Sequence, residues 1–238
     1  MKVTIHQPEF IPWLGFFHKA SQADVLVLLD DVQYRKNYFQ NRNKIIINNK
    51  VEWITVPIKS HRLNTKINEI LISDNSLLKW QEKMVDKIKL AYKKSNYYSN
   101  YSDELFNIIC KKNKNLVDLN IFLIKWIIKK LGINTKMIKC SDLNIDGVSS
   151  DRILNICKHL NAQEYLSGIS GKDYLDQQKF KENNITIQYQ EFYHPIYKQY
   201  SNNFIPQIST IEALFMIGKQ ANQLFSSSWP EKIDKLFS

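Results

Sequence analysis

The chain opens with a short apolar run at residues 3–5 that breaks into His6, Gln7 and Pro8, and a second run at residues 25–29 is apolar throughout. An apolar run of that length predicts a strand buried on both faces. Residues 12–23 between the runs read as a helix, and Pro12 suits its first position because the missing N–H has no intrahelical partner there. The succession is that of a β-α-β unit.

Further along, residues 45–47 and 51–58 read as two strands of a β-ribbon. Asn48 and Asn49 form the turn, since asparagine tolerates positive φ. From Ser76 the period changes: Leu77, Trp80, Met84, Ile88 and Tyr92 recur at three and four residues, one face of a helix. Residues 103–110 and 116–131 predict two more helices, the second capped by Gly132. Tyr97, Tyr98 and Tyr101 fall between the first two. A second alternation follows: a strand at 135–139, a helix at 151–160 capped by Ser149 or Ser150, a strand at 164–166, a helix at 172–182 and a strand at 185–189. A helix at 210–225 ends the pattern.

Strands alternating with helices predict an α/β fold with a mostly parallel, Rossmann-like sheet and a helical insert or lobe in the middle of the chain. The expected divisions are residues 1–75, the first half of the α/β domain with its ribbon; 76–132, the helical insert; and 133–238, the second half with the C-terminal helix. Strand ends at Ile5, Leu29 and Leu166 belong on one edge of a parallel sheet, where α/β folds bind ligands.

At 238 residues, with 44% hydrophobic and 24% charged positions, the chain has the composition of an ordinary globular protein. The net charge of +10 suits nucleic acid, anionic lipid or a phosphorylated ligand. Lysine, asparagine and isoleucine are used heavily throughout, so compositional bias with a local basic site accounts for the charge better than a nucleic-acid surface. The odd set Cys110, Cys140 and Cys157 has neither disulfide nor metal spacing, which fits a reducing compartment. No signal-peptide pattern precedes Pro8 and Glu9, and the most apolar helical stretch contains Asp118, Lys125, Lys129 and Lys130. A cytoplasmic protein without a membrane span and without structural zinc is expected.

Several residues carry candidate chemistry. His6 at a strand end is an acid/base or phosphate donor in the functional reading, and a backbone-satisfied imidazole in the structural one. Asp30 and Asp31 are adjacent, so in a strand they point to opposite faces and cannot be a glycosidase pair. At most one of them faces the crevice, where it could bind metal, hold a substrate hydroxyl or orient His6; the alternative is a strand-end turn. Ser167, Gly168 and Ser170 lie in a loop whose N–H groups could cradle an anion, or that is a plain βα turn. His194, Tyr197, Lys198 and Gln199 lie in a proline-bounded loop suited to a small-molecule site or to its own anchoring. The cysteines read as structural.

The segments HQPEFIPWLGFFHKASQADVLVLLDDVQ, YRKNYFQNRNKI, EWITVPI, YLSGISGKDYLDQQKF and YHPIYKQYSNNFIPQIST together resemble the WbqC-like protein family. The resemblance spans most of the chain. It departs at IEALFMIG, where members often carry an acidic-led variant ending in Asn-x-Gly. It implies a step in the biosynthesis of O-antigen or other bacterial surface polysaccharide, with transfer of glycine or another acyl group onto an amino sugar suggested. The implied partners are a nucleotide-linked sugar and an acyl or aminoacyl donor; no cofactor and no oligomeric state is implied. Carried onto this chain, the motif marks positions, not roles: His6, Gln7, Trp13, Gly15, Lys19, Asp24, Asp30, Asp31, Gln33, Asn41, Arg42, Asn43, Ser167, Gly168, Asp173, Tyr174, His194, Pro195 and Tyr197. Of these, His6, Asp30, Asp31 and His194 stand as catalytic candidates, and Trp13, Gly15, Lys19 and Asp24 as architectural positions. Gln7, Gln33, Asn41, Arg42, Asn43, Ser167, Gly168, Asp173, Tyr174 and Tyr197, joined by Lys44 and Ser170 from their own loops, stand as substrate-binding candidates. Arg42, Lys44 and the Ser167 loop are expected to hold phosphates, with His6, Asp30 or Asp31, Arg42, Asn43, Ser167 and His194 lining one pocket. A nucleotidyl or phosphoryl transferase is the competing reading, although no HxGH motif is present. A nucleic-acid-binding protein, from the aromatic and basic run at 34–44, is the third.

Overall fold

The computed structural model describes residues 1–73 and 79–225. Contacts divide the chain into two compact units, each assembled from separate segments. The first comprises Met1–Pro8, Gly15–Val32 and Ile133–Tyr193; the second comprises Glu9–Leu14, Gln33–Gly132 and the described part of His194–Ser238.

The first unit is built on a five-stranded sheet of β1 (Lys2–His6), β2 (Val25–Leu28), β5 (Lys136–Lys139), β6 (Glu164–Ser167) and β7 (Thr186–Tyr189). Every neighbouring pair is parallel, in the order β5-β2-β1-β6-β7. Counting only the strands of this sheet, the order is 3-2-1-4-5, the doubly wound arrangement. The chain steps one way from β1 to β2 and the other way from β6 to β7. Right-handed crossovers therefore put their helices on opposite faces. Val3, Ile5, Val25, Val27 and Tyr165 form a core with Ile153, Ile156 and Cys157 of α5 (Ser149–His159) and Phe180 of α6 (Gln177–Glu182). On the other face His6 meets Phe16 of α1 (Leu14–Ser21) edge to face, ring centroids 4.8 Å apart. All four residues of β2 are buried, as an uninterrupted apolar run requires.

The second unit holds the antiparallel ribbon of β3 (Arg42–Ile47) and β4 (Lys50–Thr55). Asn48 and Asn49 have φ of 50° and 63°, the left-handed pair that a two-residue hairpin turn demands. α2 (Trp80–Tyr92) packs on both ribbon strands, while α3 (Tyr98–Cys110) and α4 (Leu116–Lys130) pack against α7 (Thr210–Ile217). Met84, Ile88 and Tyr92 form the buried face of α2. The expected helix start at Ser76, with Leu77, lies outside the described residues. Gly132 follows α4 in the left-handed region, φ 64°.

Several boundaries differ from the sequence expectation. α1 starts at Leu14, not Pro12, because Trp13 is in an antiparallel bridge with Ser209 and the Pro12 carbonyl accepts from Thr210 N–H at 3.0 Å. Tyr98 and Tyr101 belong to α3 rather than to a link before it. Neither Ser149 nor Ser150 caps α5; Val148 takes that position, and Ser150 Oγ accepts from Asp176 N–H at 2.9 Å. The helix expected at 172–182 is a 3-10 turn, Ile169–Asp173, followed by α6, whose N-cap Asp176 accepts from Lys179 N–H at 3.2 Å. α7 stops at Ile217, since Gly218 has φ 60°, and the chain continues as a 3-10 segment to Phe225.

Candidate functional site

In a doubly wound sheet the crevice opens beyond the carboxyl ends of the strands flanking the reversal in strand order. Here those strands are β1 and β6, which end in His6 and Ser167. His6 is the last residue of β1, not the first residue after it. Its Nδ1 lies 3.0 Å from the Gln7 carbonyl, an acceptor only, so Nδ1 carries the proton and Nε2 keeps its lone pair. Burial, and then the Lys19 ammonium, lower the His6 pKa from 6.5 to about 3. The imidazole is therefore neutral throughout the physiological range.

Lys19 was expected to be architectural, and it is placed deep. Only 4% of it is exposed, and Nζ donates to the Ile5 carbonyl at 3.1 Å. Its charge thus sits under the strand end that presents His6. Gln190, which the sequence reading did not single out, ties the same edge together. Its backbone N–H donates to Ser167 O at 2.8 Å, and its side chain donates to Gly15 O at 2.7 Å and lies 3.0 Å from His18 Nδ1.

Asp30 and Asp31 follow β2 rather than end it, and Leu29 N–H donates to His6 O at 2.8 Å. They lie along the same carboxyl edge, yet both carboxylates hold the protein itself. Asp30, 1% exposed, accepts from Ser141 N–H at 2.9 Å and Ser141 Oγ at 2.7 Å. Asp31 Oδ2 pairs with the Arg152 guanidinium. The loop after β6, expected to cradle an anion at a helix N-terminus, leads into a 3-10 turn instead. Ser167 is buried in the strand and its Oγ donates to Gly168 O at 3.0 Å. The turn that follows is five residues of 3-10 helix, not the first turn of an α-helix. Ser170, Asp173 and Tyr174 are exposed around it.

Gln7 follows β1 in the first unit, and the remaining candidates belong to the second. Arg42, Asn43 and Lys44 stand in β3, which begins ahead of the expected start at Ile45. Arg42 donates to Asn37 O, and its guanidinium lies over the Trp53 ring at 4.2 Å; Lys44 Nζ lies 5.3 Å from the same ring. The Asn43 amide donates to Phe10 O and Ile11 O at 3.0 and 2.8 Å. Asn41 accepts from Tyr34 Oη at 2.8 Å and donates to Val56 O at 2.9 Å. Gln33 donates to Leu63 O at 2.7 Å. The His194 ring stacks with Trp13 and Tyr197 and meets Phe204 edge to face at 5.2 Å, and burial lowers its pKa. Tyr197, 3% exposed, donates to Glu212 Oε2 at 2.8 Å. Among the described residues, no group of three or more His, Cys, Asp or Glu is placed to hold a metal ion.

The family model described as WbqC-like protein family matches residues 7–224. This chain belongs to the WbqC-like protein family. The match of the WbqC-like chain takes in the carboxyl edge from Gln7 onward and all of the ribbon. An uncharacterized protein of Mycobacterium tuberculosis, Rv1507c, is 31% identical over 223 residues, covering 92% of this WbqC-like chain and 95% of its own. No solved structure matches. No helix among the described residues is long and apolar enough to cross a membrane.

Proposed function

We propose that this WbqC-like protein is a transferase that moves an acyl or aminoacyl group onto the amine of a nucleotide-linked sugar, at the carboxyl edge of its parallel sheet. The observation that carries this reading is the reversal of strand order between β1 and β6 with a neutral histidine at the end of β1. The likeness to proteins of surface-polysaccharide gene clusters supports the sugar acceptor.

An amine attacks an acyl carbonyl only as the free base. His6 Nε2 accepts a hydrogen bond from that amine and aims its lone pair at the carbonyl carbon. The new C–N bond forms, the bond from carbonyl carbon to the donor's leaving group breaks, and the amine proton passes to water or to the leaving group. A conjugate acid near 3 makes His6 an orienting acceptor rather than a strong base. Asp30 and Asp31, through Ser141 and Arg152, position the edge. The competing reading, nucleotidyl transfer, draws on the same strand order and would release pyrophosphate from a nucleoside triphosphate.

The test incubates purified protein with UDP- and dTDP-linked amino sugars and a panel of acyl and aminoacyl donors, and follows the sugar nucleotide by mass. The expected result is an acylated product formed by the parent and not by His6→Ala. Pyrophosphate release without acylation would transfer the assignment to nucleotidyl chemistry. Product formation unaffected by His6→Ala would remove the sheet edge from the reaction.

A further inference from the structure

The second unit contains a cavity of about 380 Å³ at the side of the ribbon, between β4 and α2. Its size falls within the range of small-molecule sites. Ile54 and Pro57 contribute from the ribbon side, Trp80 and Met84 from the helix, and Lys83 and Lys87 from the same helix face. Positions 80, 83, 84 and 87 are spaced so that one helix face carries an indole, a thioether and two ammonium groups in adjacent turns. Met84 and Ile54 are buried, whereas both lysines are exposed. The cavity is thus apolar inside with cations outside. Lys87 is fixed there: Nζ donates to the Trp53 carbonyl at 3.2 Å and lies 3.8 Å from Glu52.

We infer that this cavity binds a small, flat aromatic anion, its ring against Trp80 and Met84 and its phosphate or carboxylate at Lys83 and Lys87. An uncharged ring would leave the Lys83 ammonium without a charged partner among the described residues, whereas Lys87 already lies beside Glu52. A bare anion would leave the indole and thioether uncovered. Only a molecule with both parts satisfies the whole lining, and every nucleobase offers a π face that stacks on an indole. Such a ligand is either a nucleotide or an aromatic carboxylate. The site does not depend on the chemistry assigned to the sheet edge.

The test titrates the full chain by calorimetry with uridine diphosphate, adenosine diphosphate and 4-hydroxybenzoate. Pyrophosphate serves as an anion without a ring, and phenol as a ring without an anion. The expected result is saturable binding of at least one ring-bearing anion, at least tenfold tighter than either control. Trp80→Leu and Lys83→Glu should each weaken it by about tenfold or more. Lys83 is exposed, so Lys83→Glu tests the site without disturbing the core. A preference for nucleotides or for 4-hydroxybenzoate tells the two sources apart. The proposal is overturned if no ring-bearing anion binds, if pyrophosphate binds as well as the nucleotides, or if both variants bind like the parent. Nucleotide binding that survives both variants and is lost in His6→Ala belongs to the sheet edge, and equally overturns this site.

Discussion

Tyr197 donates to Glu212 Oε2 at 2.8 Å, and Gln199 donates to the same oxygen at 2.8 Å, in a setting where Glu212 has no exposure to water. Glu212 Oε1 has no hydrogen-bond partner among the described residues. Burial outweighs the two donors and pushes the carboxyl up to about 8. At neutral pH the group is therefore mostly a neutral acid, which joins α7 to the loop carrying Tyr197 and Gln199.

The pH dependence has a definite sign. A carboxyl whose folded pKa lies above its unfolded value near 4.5 stabilises the fold fully below pH 4.5. That contribution is lost as pH rises from 4.5 through about 8. Glu212→Gln mimics the protonated acid, because the amide oxygen still accepts from Tyr197 and Gln199. The expected outcome of urea unfolding is a parent that weakens between pH 5 and 9 and a variant that does not, with a gain of a few kcal/mol for the variant at pH 9. Parallel curves for the two proteins would show that Glu212 is charged in the fold.

Asp31 and Arg152 form an ion pair whose side chains are only 15% and 17% exposed. Arg152 Nη2 also lies 3.6 Å from Cys140 Sγ, and that thiol is pushed up to about 11, chiefly by burial. Removing one partner of such a pair leaves a charge buried without compensation. Arg152→Met should cost about 3–5 kcal/mol, and Asp31→Asn in the Arg152→Met background should recover most of that loss. A double-mutant cycle on unfolding midpoints measures both. Additive losses would mean that the two side chains do not depend on each other.

The sheet was legible because its cause is local. The run at Val25–Leu28 is apolar at every position, and only a strand covered on both faces asks for that. Asn48-Asn49 and Gly132 announced their turns through the φ angles they tolerate. The partners of Arg42, Asn43 and Lys44 were not legible, for the opposite reason. Charge and amide content pointed to a phosphate or a pocket, whereas the cations lie over the Trp53 ring and the Asn43 amide serves the backbone of Phe10 and Ile11, more than thirty residues away. No spacing rule reveals a partner at that distance. Lys19 and Glu212 had a weak signal: each is a single charge within an otherwise apolar stretch, and such charges are buried only when something nearby is built to hold them.

The last prediction concerns His6. Its folded pKa, about 3, lies below the unfolded 6.5, first through burial and second through Lys19. The neutral form is the one the fold prefers. This contribution to stability is therefore complete above pH 6.5 and is lost as pH falls from 6.5 towards 3, opposite in direction to Glu212 and in a lower window. The two can be separated by variants: His6→Gln should make the acid limb shallower, leaving the share of His18 and His194, and Glu212→Gln should flatten the alkaline limb. NMR of the five histidine rings gives a direct reading. One Cε1–H resonance, lost in His6→Gln, should stay unchanged from pH 8 to 5. In Lys19→Met the same resonance should begin to move at higher pH than in the parent, because the neighbouring cation has gone while most of the burial remains. A His6 midpoint between 6 and 7 in the parent would mean a solvated imidazole. It would return His6 to the role of an ordinary acid/base catalyst, with a pH–rate profile that bends near the same midpoint.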